Sequence, residues 1–462
     1  MTGGGRFRHT VVVDLGFGDC GKGTVVDWLC RGHRAEAVVR FNGGAQAAHN
    51  VVAPDGRHHT FAQLGAGTFV PGVLTHLSRF TLVDPLALAA EADHLAEIGV
   101  PDALDRLTVD RRALLTTPYH RAANRARETA RGTERHGSCG MGIGETARYA
   151  LAEPDEAPTA GDCAAPRTLR RKLAALRDRL TDELGPLDAP PVEDCAAAFT
   201  AFAESVALVG EDHLPALLAA GPVVFEGAQG VLLDEWRGFH PYTTWSTTTA
   251  HNALELLAEA GDGTPPLRLG VLRTTTTRHG PGPLVTEDAA LTAALPEAHN
   301  GPGRWQGAFR VGHFDAVAHA YATAATGGVD EVALTHLDAP ARAPGMGLCT
   351  AYRIDGELVA ALEPGPPGDL AAQARLTERL LRAEPVIAPA PADWPEAVAE
   401  VVGAPVTLLS SGPRATDKRD LGVGRTLPSE SEAGAQGDMG MVIPAAPFHE
   451  SREHEEIPAK RI

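Results

Sequence analysis

One short run constrains this chain more than any other: Gly16-Phe17-Gly18-Asp19-Cys20-Gly21-Lys22-Gly23-Thr24. The apolar stretch Thr10 to Leu15 precedes it and reads as a buried strand. Val25-Val26-Asp27-Trp28-Leu29 follows it and reads as the first turns of a helix. Strand, glycine loop, lysine and helix make a phosphate cradle. The glycines let backbone N–H groups turn inward, the helix N-terminus offers partial positive charge, and Lys22 adds a full one. Gly16-x-x-x-x-Gly21-Lys22 fits the usual nucleotide loop, but Gly23 stands where a Ser or Thr hydroxyl would hold Mg²⁺. The loop carries an acid instead. Asp19 can sit on a metal, take a proton from a substrate, or do both in turn. The plain alternative is a Gly-rich turn with a capping Asp, and the motif alone leaves both open.

Other apolar runs also end in small-residue loops. Ala37–Phe41 opens into Asn42 to Asn50, with Gly43, Gly44 and a closing His49. Pro222–Glu226 leads into Gly227-Ala228-Gln229-Gly230, Leu269–Arg273 into a Thr-rich stretch, and Val329–Leu334 into Thr335-His336-Leu337-Asp338. Amphipathic helices are expected at 84–98, 119–131, 169–184 and 195–209, with a further helix at 315–326 and a hairpin at 352–359. Pro154–Pro166 and Pro385–Pro395 read as Pro/Ala connections. Strands alternating with helices predict an α/β fold: one large domain, residues 9–420, around a mostly parallel central sheet with a P-loop-like phosphate cradle. Ligands would bind at the carboxyl ends of the strands. Residues 1–8 and 421–462 read as disordered ends. His49 is either an ordinary surface histidine or a proton donor facing the Asp19 loop, if the two loops end neighbouring strands.

Composition narrows the class. A net charge of −18 argues against nucleic acid as a bulk partner and against an anionic membrane. The six cysteines include no C-x-x-C pair, so neither a disulfide framework nor a zinc site is expected. No signal peptide and no membrane-length apolar run is visible, which predicts a cytoplasmic protein.

Gly18-Asp19-Cys20-Gly21-Lys22-Gly23 resembles the Gly-Asp-Glu-Gly-Lys-Gly signature of the adenylosuccinate synthetase family, whose members condense IMP with aspartate using GTP and Mg²⁺. Further pieces follow in the family's order: Gly43-Gly44-x-x-x-x-His49, Glu226-Gly227-Ala228-Gln229-Gly230, Thr276-Thr277-Arg278-x-Gly280, and Val406 to Pro413. The resemblance implies roles for matched positions. Asp19, Lys22, His49 and Gln229 would be catalytic. Gly18, Gly21, Gly23, Thr24, Asp338, Ser411 and Gly412 would bind the nucleotide. Gln46, Ser138, Cys139, Thr244, Arg304 and Arg310 would bind substrate. Asp19 and the Ala48 carbonyl would hold Mg²⁺. GTP would be the energy donor, with ATP as the other candidate, and the assembly would be a homodimer.

The sequence also departs from that pattern. Met141 and Cys139 replace an Arg and a Thr, Gln46 an Asn, and His336 a Lys. The Arg that would cross to the other subunit falls at Glu153. Around Gly303 to Asp315 the family grips both aspartate carboxylates with arginines, whereas here Arg304 and Arg310 flank Ala308 and Phe309. Ala and Phe cannot replace bidentate guanidinium recognition. The reading is therefore a nucleotide-driven C–N ligase that phosphorylates a carbonyl or carboxyl oxygen and joins it to an amine other than aspartate. The alternatives are adenylosuccinate synthesis itself and a non-catalytic nucleotide-binding paralogue.

Overall fold

A computed structural model describes residues 9–132, 137–297, 300, 301, 303 and 305–422. Its spine is a ten-stranded sheet: β1 (Thr10–Asp14), β2 (Ala37–Arg40), β3 (Leu74–Leu77), β4 (Leu107–Asp110), β5 (Ala207–Val209), β6 (Val223–Glu226), β7 (Leu267–Arg273), β8 (Glu331–Thr335), β9 (Val406–Ser410) and β10 (Lys418–Asp420). The spatial order is β10-β9-β8-β7-β1-β6-β2-β3-β4-β5. Every neighbouring pair is parallel except β9 with β10. The expected α/β architecture is therefore the observed one.

A parallel strand covered on both faces needs no polar side. Val11 and Val13 of β1 point into one hydrophobic layer, with Phe41, Phe225 and Leu272. Val12 points into the other, with Val25, Leu29, Val38 and Val224. Helix Lys22–His33 covers that second face, and helix Ala316–Ala325 covers the first. Loops leaving β1, β2, β6, β7, β8 and β9 all emerge at the carboxyl edge and surround one cavity.

Several expectations are corrected. β1 and β2 are not neighbours: β6 lies between them, pairing with both. The Gln229 loop therefore stands between the Asp19 and His49 loops. The helix expected at 195–209 runs Val192–Ser205, and Ala207–Val209 forms the edge strand β5. Residues 154–166 are no free linker: Ala157, Ala160 and Cys163 are buried, on and beside a 3₁₀ turn at Ala160–Ala164. Residues Glu384–Pro389, expected in a spacer, pair with strand Gly347–Ile354. The disorder expected at 1–8 and over 421–462 falls, apart from Leu421 and Gly422, outside the described residues.

Candidate active site

The cradle is wound around an acid that the sequence reading passed over. Asp14 Oδ1 accepts from the backbone N–H of Gly16 (2.9 Å) and Gly18 (3.2 Å), and Oδ2 accepts from Cys20 N–H (3.0 Å). Lys22 Nζ donates to the same Oδ2 at 2.9 Å, with both side chains buried. Burial alone would raise the Asp14 pKa, but Lys22 and the N–H donors outweigh it and hold the carboxyl below its usual range. Lys22 thus meets the cavity as half of an ion pair. Helix Lys22–His33 has no side-chain cap and no acid in its first turn, which leaves its N–H groups to a ligand.

Asp19 sits on this loop with φ 59°, between Gly18 at φ 100° and Gly21 at φ 89°. A left-handed aspartate is a strained choice that the loop imposes. Its Oδ2 lies 3.6 Å from His279 Nε2. Burial lifts the Asp19 pKa against the pull of His279, Lys22 and Arg273, and Glu297 adds to the lift. The carboxylate is therefore ready to take a proton.

His49 points its Nδ1 at Glu226 Oε1, 2.5 Å away, and Glu226 Oε2 accepts from Ala66 N–H at 2.9 Å. With Nδ1 occupied, Nε2 is the nitrogen left for the cavity. Burial lowers the His49 pKa, while Glu226 pulls it back up. Glu226 opens the Glu-Gly-Ala-Gln-Gly run, but its function as the orienter of His49 was not legible there. The same packing explains Gly23. A Cβ at this position would stand 2.7 Å from His49 Cβ and 3.1 Å from its backbone. The hydroxyl residue of ordinary nucleotide loops is excluded because the His49 strand crosses there.

Gln229 is also left-handed, at φ 62°. Its Nε2 donates to Thr244 Oγ1 at 3.3 Å, while Oε1 is buried without a partner. Both amide atoms of Gln46 are likewise buried and unpaired. An orphaned buried amide costs about 1–3 kcal/mol unless a ligand satisfies it. At the other end, Thr24 Oγ1 donates to the Pro413 carbonyl (2.6 Å), which ties the cradle helix to the loop after β9.

The cavity holds about 540 Å³, within the usual range for a ligand site. Asp19, Lys22, His49 and Gln229 all line it. So do Gly18, Gly21, Gly23 and Thr24, and likewise Gln46, Ala48, Asp338 and Gly412. Ser410 lines it in place of Ser411, whose N–H turns away to the Asp417 carbonyl. Ser138 lies outside and accepts from Asn124, and Cys139 is also outside. Thr244 touches the site through Gln229. Arg310 is outside too: it donates to Glu287 (2.6 Å) and to the carbonyls of Gly280 (2.5 Å) and Gly282 (3.0 Å). Arg304 lies outside the described residues. Phe309 pairs with His279 across two antiparallel strands, and their rings pack at 4.9 Å. Glu153 ion-pairs with Arg179 and does not reach the cavity. The lining residues His279, Arg273 and Glu297 were missed. His279 sits at the variable position of Thr-Thr-Arg-x-Gly, where a motif carries no signal.

A family model for adenylosuccinate synthetase matches residues 11–419. The adenylosuccinate synthetase of Magnetococcus marinus is 32% identical over 438 residues, covering 88% of this chain and 96% of its own. That of Desulfovibrio desulfuricans is 32% identical over 368 residues, covering 75% and 82%. The solved structure of the fully ligated adenylosuccinate synthetase from Plasmodium falciparum matches with a TM-score of 0.74 at 21% identity, covering 90% of this chain and 99% of that one. Cyanophage S-2L succinoaminodeoxyadenylate synthetase, solved with dGMP and with dATP as an energy donor, matches at 0.55 and 20%, covering 90% and 96%. At such identities the structural likeness supports the fold, while the sequence matches carry the assignment. The chain belongs to the adenylosuccinate synthetase family and is a ligase that forms C–N bonds.

Proposed function

We propose that this ligase uses GTP to phosphorylate a lactam-type carbonyl oxygen and then joins that carbon to an amine other than aspartate. The observation that carries the changed amine is the state of the arginine strand. Arg310 is spent on Glu287 and two backbone carbonyls, and Phe309 packs on His279 where the resemblance expects a guanidinium. Dicarboxylate recognition needs paired, available guanidinium groups.

The chemistry has two steps. Asp19 takes the acceptor's ring N–H proton, the carbonyl oxygen attacks the terminal phosphorus of the nucleotide, and the bridging P–O bond breaks to leave the diphosphate. His49, oriented by Glu226, gives a hydrogen bond from Nε2 to the charge that develops on the phosphoryl oxygens. The amine nitrogen then attacks the activated carbon, the C–O bond breaks, and phosphate leaves as the nitrogen sheds a proton. The unpaired amide of Gln46 and the unpaired Oε1 of Gln229 suit a ring that offers both a donor and an acceptor. Asp19 and the Ala48 carbonyl form a hard-oxygen donor set that fits Mg²⁺, and the bound ion would neutralise phosphate charge. Asp338, Gly412 and Ser410 suit the nucleotide base end of the cavity, with guanine preferred over adenine.

Adenylosuccinate synthesis itself is the second reading, favoured by the 32% identity to Magnetococcus marinus adenylosuccinate synthetase over nearly the whole chain. The deciding experiment measures phosphate release from GTP and from ATP with Mg²⁺, adding IMP and aspartate singly and together. Release that needs both, with adenylosuccinate formed, rejects the changed amine. Release with IMP and another amine from a panel, but not with aspartate, supports it. We also expect a homodimer, and a solution mass of one chain would refute that.

A further inference from the structure

The cations that line the cavity among the described residues, histidines aside, are Lys22, Arg273 and Arg342. Each already holds an acid of this same chain. Lys22 holds Asp14, Arg342 holds Asp338 and Arg273 holds Glu297. Among the described residues the cavity therefore offers phosphate no free lysine or arginine, only the uncapped helix N-terminus, and a guanidinium or ammonium can join in only if one of these pairs exchanges partners.

The three pairs differ in whether they can. Asp14 is fixed by three backbone N–H groups besides Lys22, so its release would unwind the cradle. The Arg342 side chain is 48% exposed, so water can serve it and its pairing decides little. The Arg273 side chain is 3% exposed, and a cation so buried must always face an anion. Its guanidinium is fixed from other sides. Nε donates to Thr275 Oγ1 (3.1 Å), and Nη1 donates to the Asp19 carbonyl (3.3 Å) and Thr277 Oγ1 (3.4 Å). Only Nη2 is turned to Glu297. Among the described residues that carboxylate is held by two side chains, Arg273 and Asn300 Nδ2 (2.8 Å), and it is 21% exposed. The cation is built in and its partner is removable.

We infer that Arg273 is an oxyanion-binding residue of this cavity, and that Glu297 is an internal anion keeping its place until a phosphate group arrives. Nη2, the nitrogen that now donates to Glu297, can donate to a phosphate oxygen as well as to a carboxylate. Arg273 donates to the backbone of Asp19, so a phosphate it holds lies beside the residue that takes the acceptor proton. That phosphate belongs either to the energy donor or to a phosphorylated acceptor. The inference rests on the cavity's being a phosphoryl-transfer site and is independent of which amine is used.

Calorimetric binding decides it without turnover. The probes are the β,γ-imido analogue of GTP with Mg²⁺, and IMP, each titrated into the full chain as wild type and as Glu297→Gln. An internal competitor lowers apparent affinity by the fraction of time it occupies the site, so its removal should tighten one ligand about tenfold. Selective tightening of the GTP analogue assigns Arg273 to the donor, and selective tightening of IMP assigns it to the acceptor. Arg273→Gln should weaken the same ligand, with thermal melting as the check that it folds. If Glu297→Gln tightens neither ligand, weakens them, or tightens both equally through the lost charge, the exchange is refuted. The binding assay and the amine screen can fail separately, so a wrong amine would not be mistaken for a wrong Arg273.

Discussion

His49 shows how much of a catalytic residue is set by the side chain behind it. Its ring is held by Glu226 at 2.5 Å, and Glu226 is in turn fixed by the Ala66 N–H. A glutamine at 226 can present its NH₂ to Nδ1 and so favours the tautomer with the proton on Nε2, without the negative charge that supports an imidazolium. Glu226→Gln should lower the single-turnover rate of phosphate formation on the order of 10²-fold, with nucleotide affinity almost unchanged. An unaltered rate would remove Glu226 from the mechanism. Asp19, Lys22, His49 and Gln229 were legible from the sequence because each sits in a run whose residue types and order are restrictive. Asp14 and Glu226 were not. Both are strand-end acids whose partners lie across a turn or on another strand, and no local pattern announces such pairing.

Elements were legible where the local signal was long. The apolar runs of β1, β2, β6 and β8 gave their strands, and Asp315 to Thr326 its helix, within a residue or two. Short or edge elements were not. Ala207–Val209 is too brief to show a period, so it was absorbed into the preceding helix. Pro385 and Pro389 argued against a strand at 384–389, yet an outer strand tolerates proline because it need not donate on both sides. Strand order was invisible as well, since nothing in residues 37–41 says that β6 will insert beside them. Gly23 belongs to this scale because it measures how closely two elements pass: helix Lys22–His33 and the strand that begins at His49. Gly23→Ser restores the ordinary loop hydroxyl but forces its Cβ to within 2.7 Å of His49 Cβ unless one backbone moves. The variant should fold, because the strain sits at the open edge of the sheet. It should lose more than about tenfold in turnover through displacement of His49. Turnover equal to wild type would mean the crossing relaxes freely.

For the whole molecule, the buried histidines set an acid limit on stability. Burial lowers His319 to about 4, where its Nδ1 faces the Leu15 carbonyl (3.0 Å) and its Nε2 faces Thr276 Oγ1 (3.1 Å). Burial also brings His76 to about 4, and His120 to about 3. In each case the folded pKa lies below the unfolded one, near 6.5. The unfolded chain therefore binds protons that the folded chain refuses. Stability from these rings is complete above about pH 6.5 and drains away as pH falls toward 4. For His319 alone the full loss is of order 3 kcal/mol, taking 1.36 kcal/mol per unit. Asp315, raised by burial to about 6, works the other way, since the folded state gains its proton first as pH falls. Asp19, Asp27 and Asp234 are raised too, which sets four carboxyls against the seven lowered imidazoles of His9, His49, His76, His120, His213, His319 and His336, so the histidines prevail. Melting temperature should hold between pH 7 and 8 and fall steadily from 6.5 to 4.5. His319→Gln should be less stable at pH 7.5 but show a shallower decline, because one of the proton-binding groups is gone. A melting temperature flat from pH 7 to 5 would mean that these rings are hydrated or protonated in the folded protein, against the packing around Leu15 and Thr276.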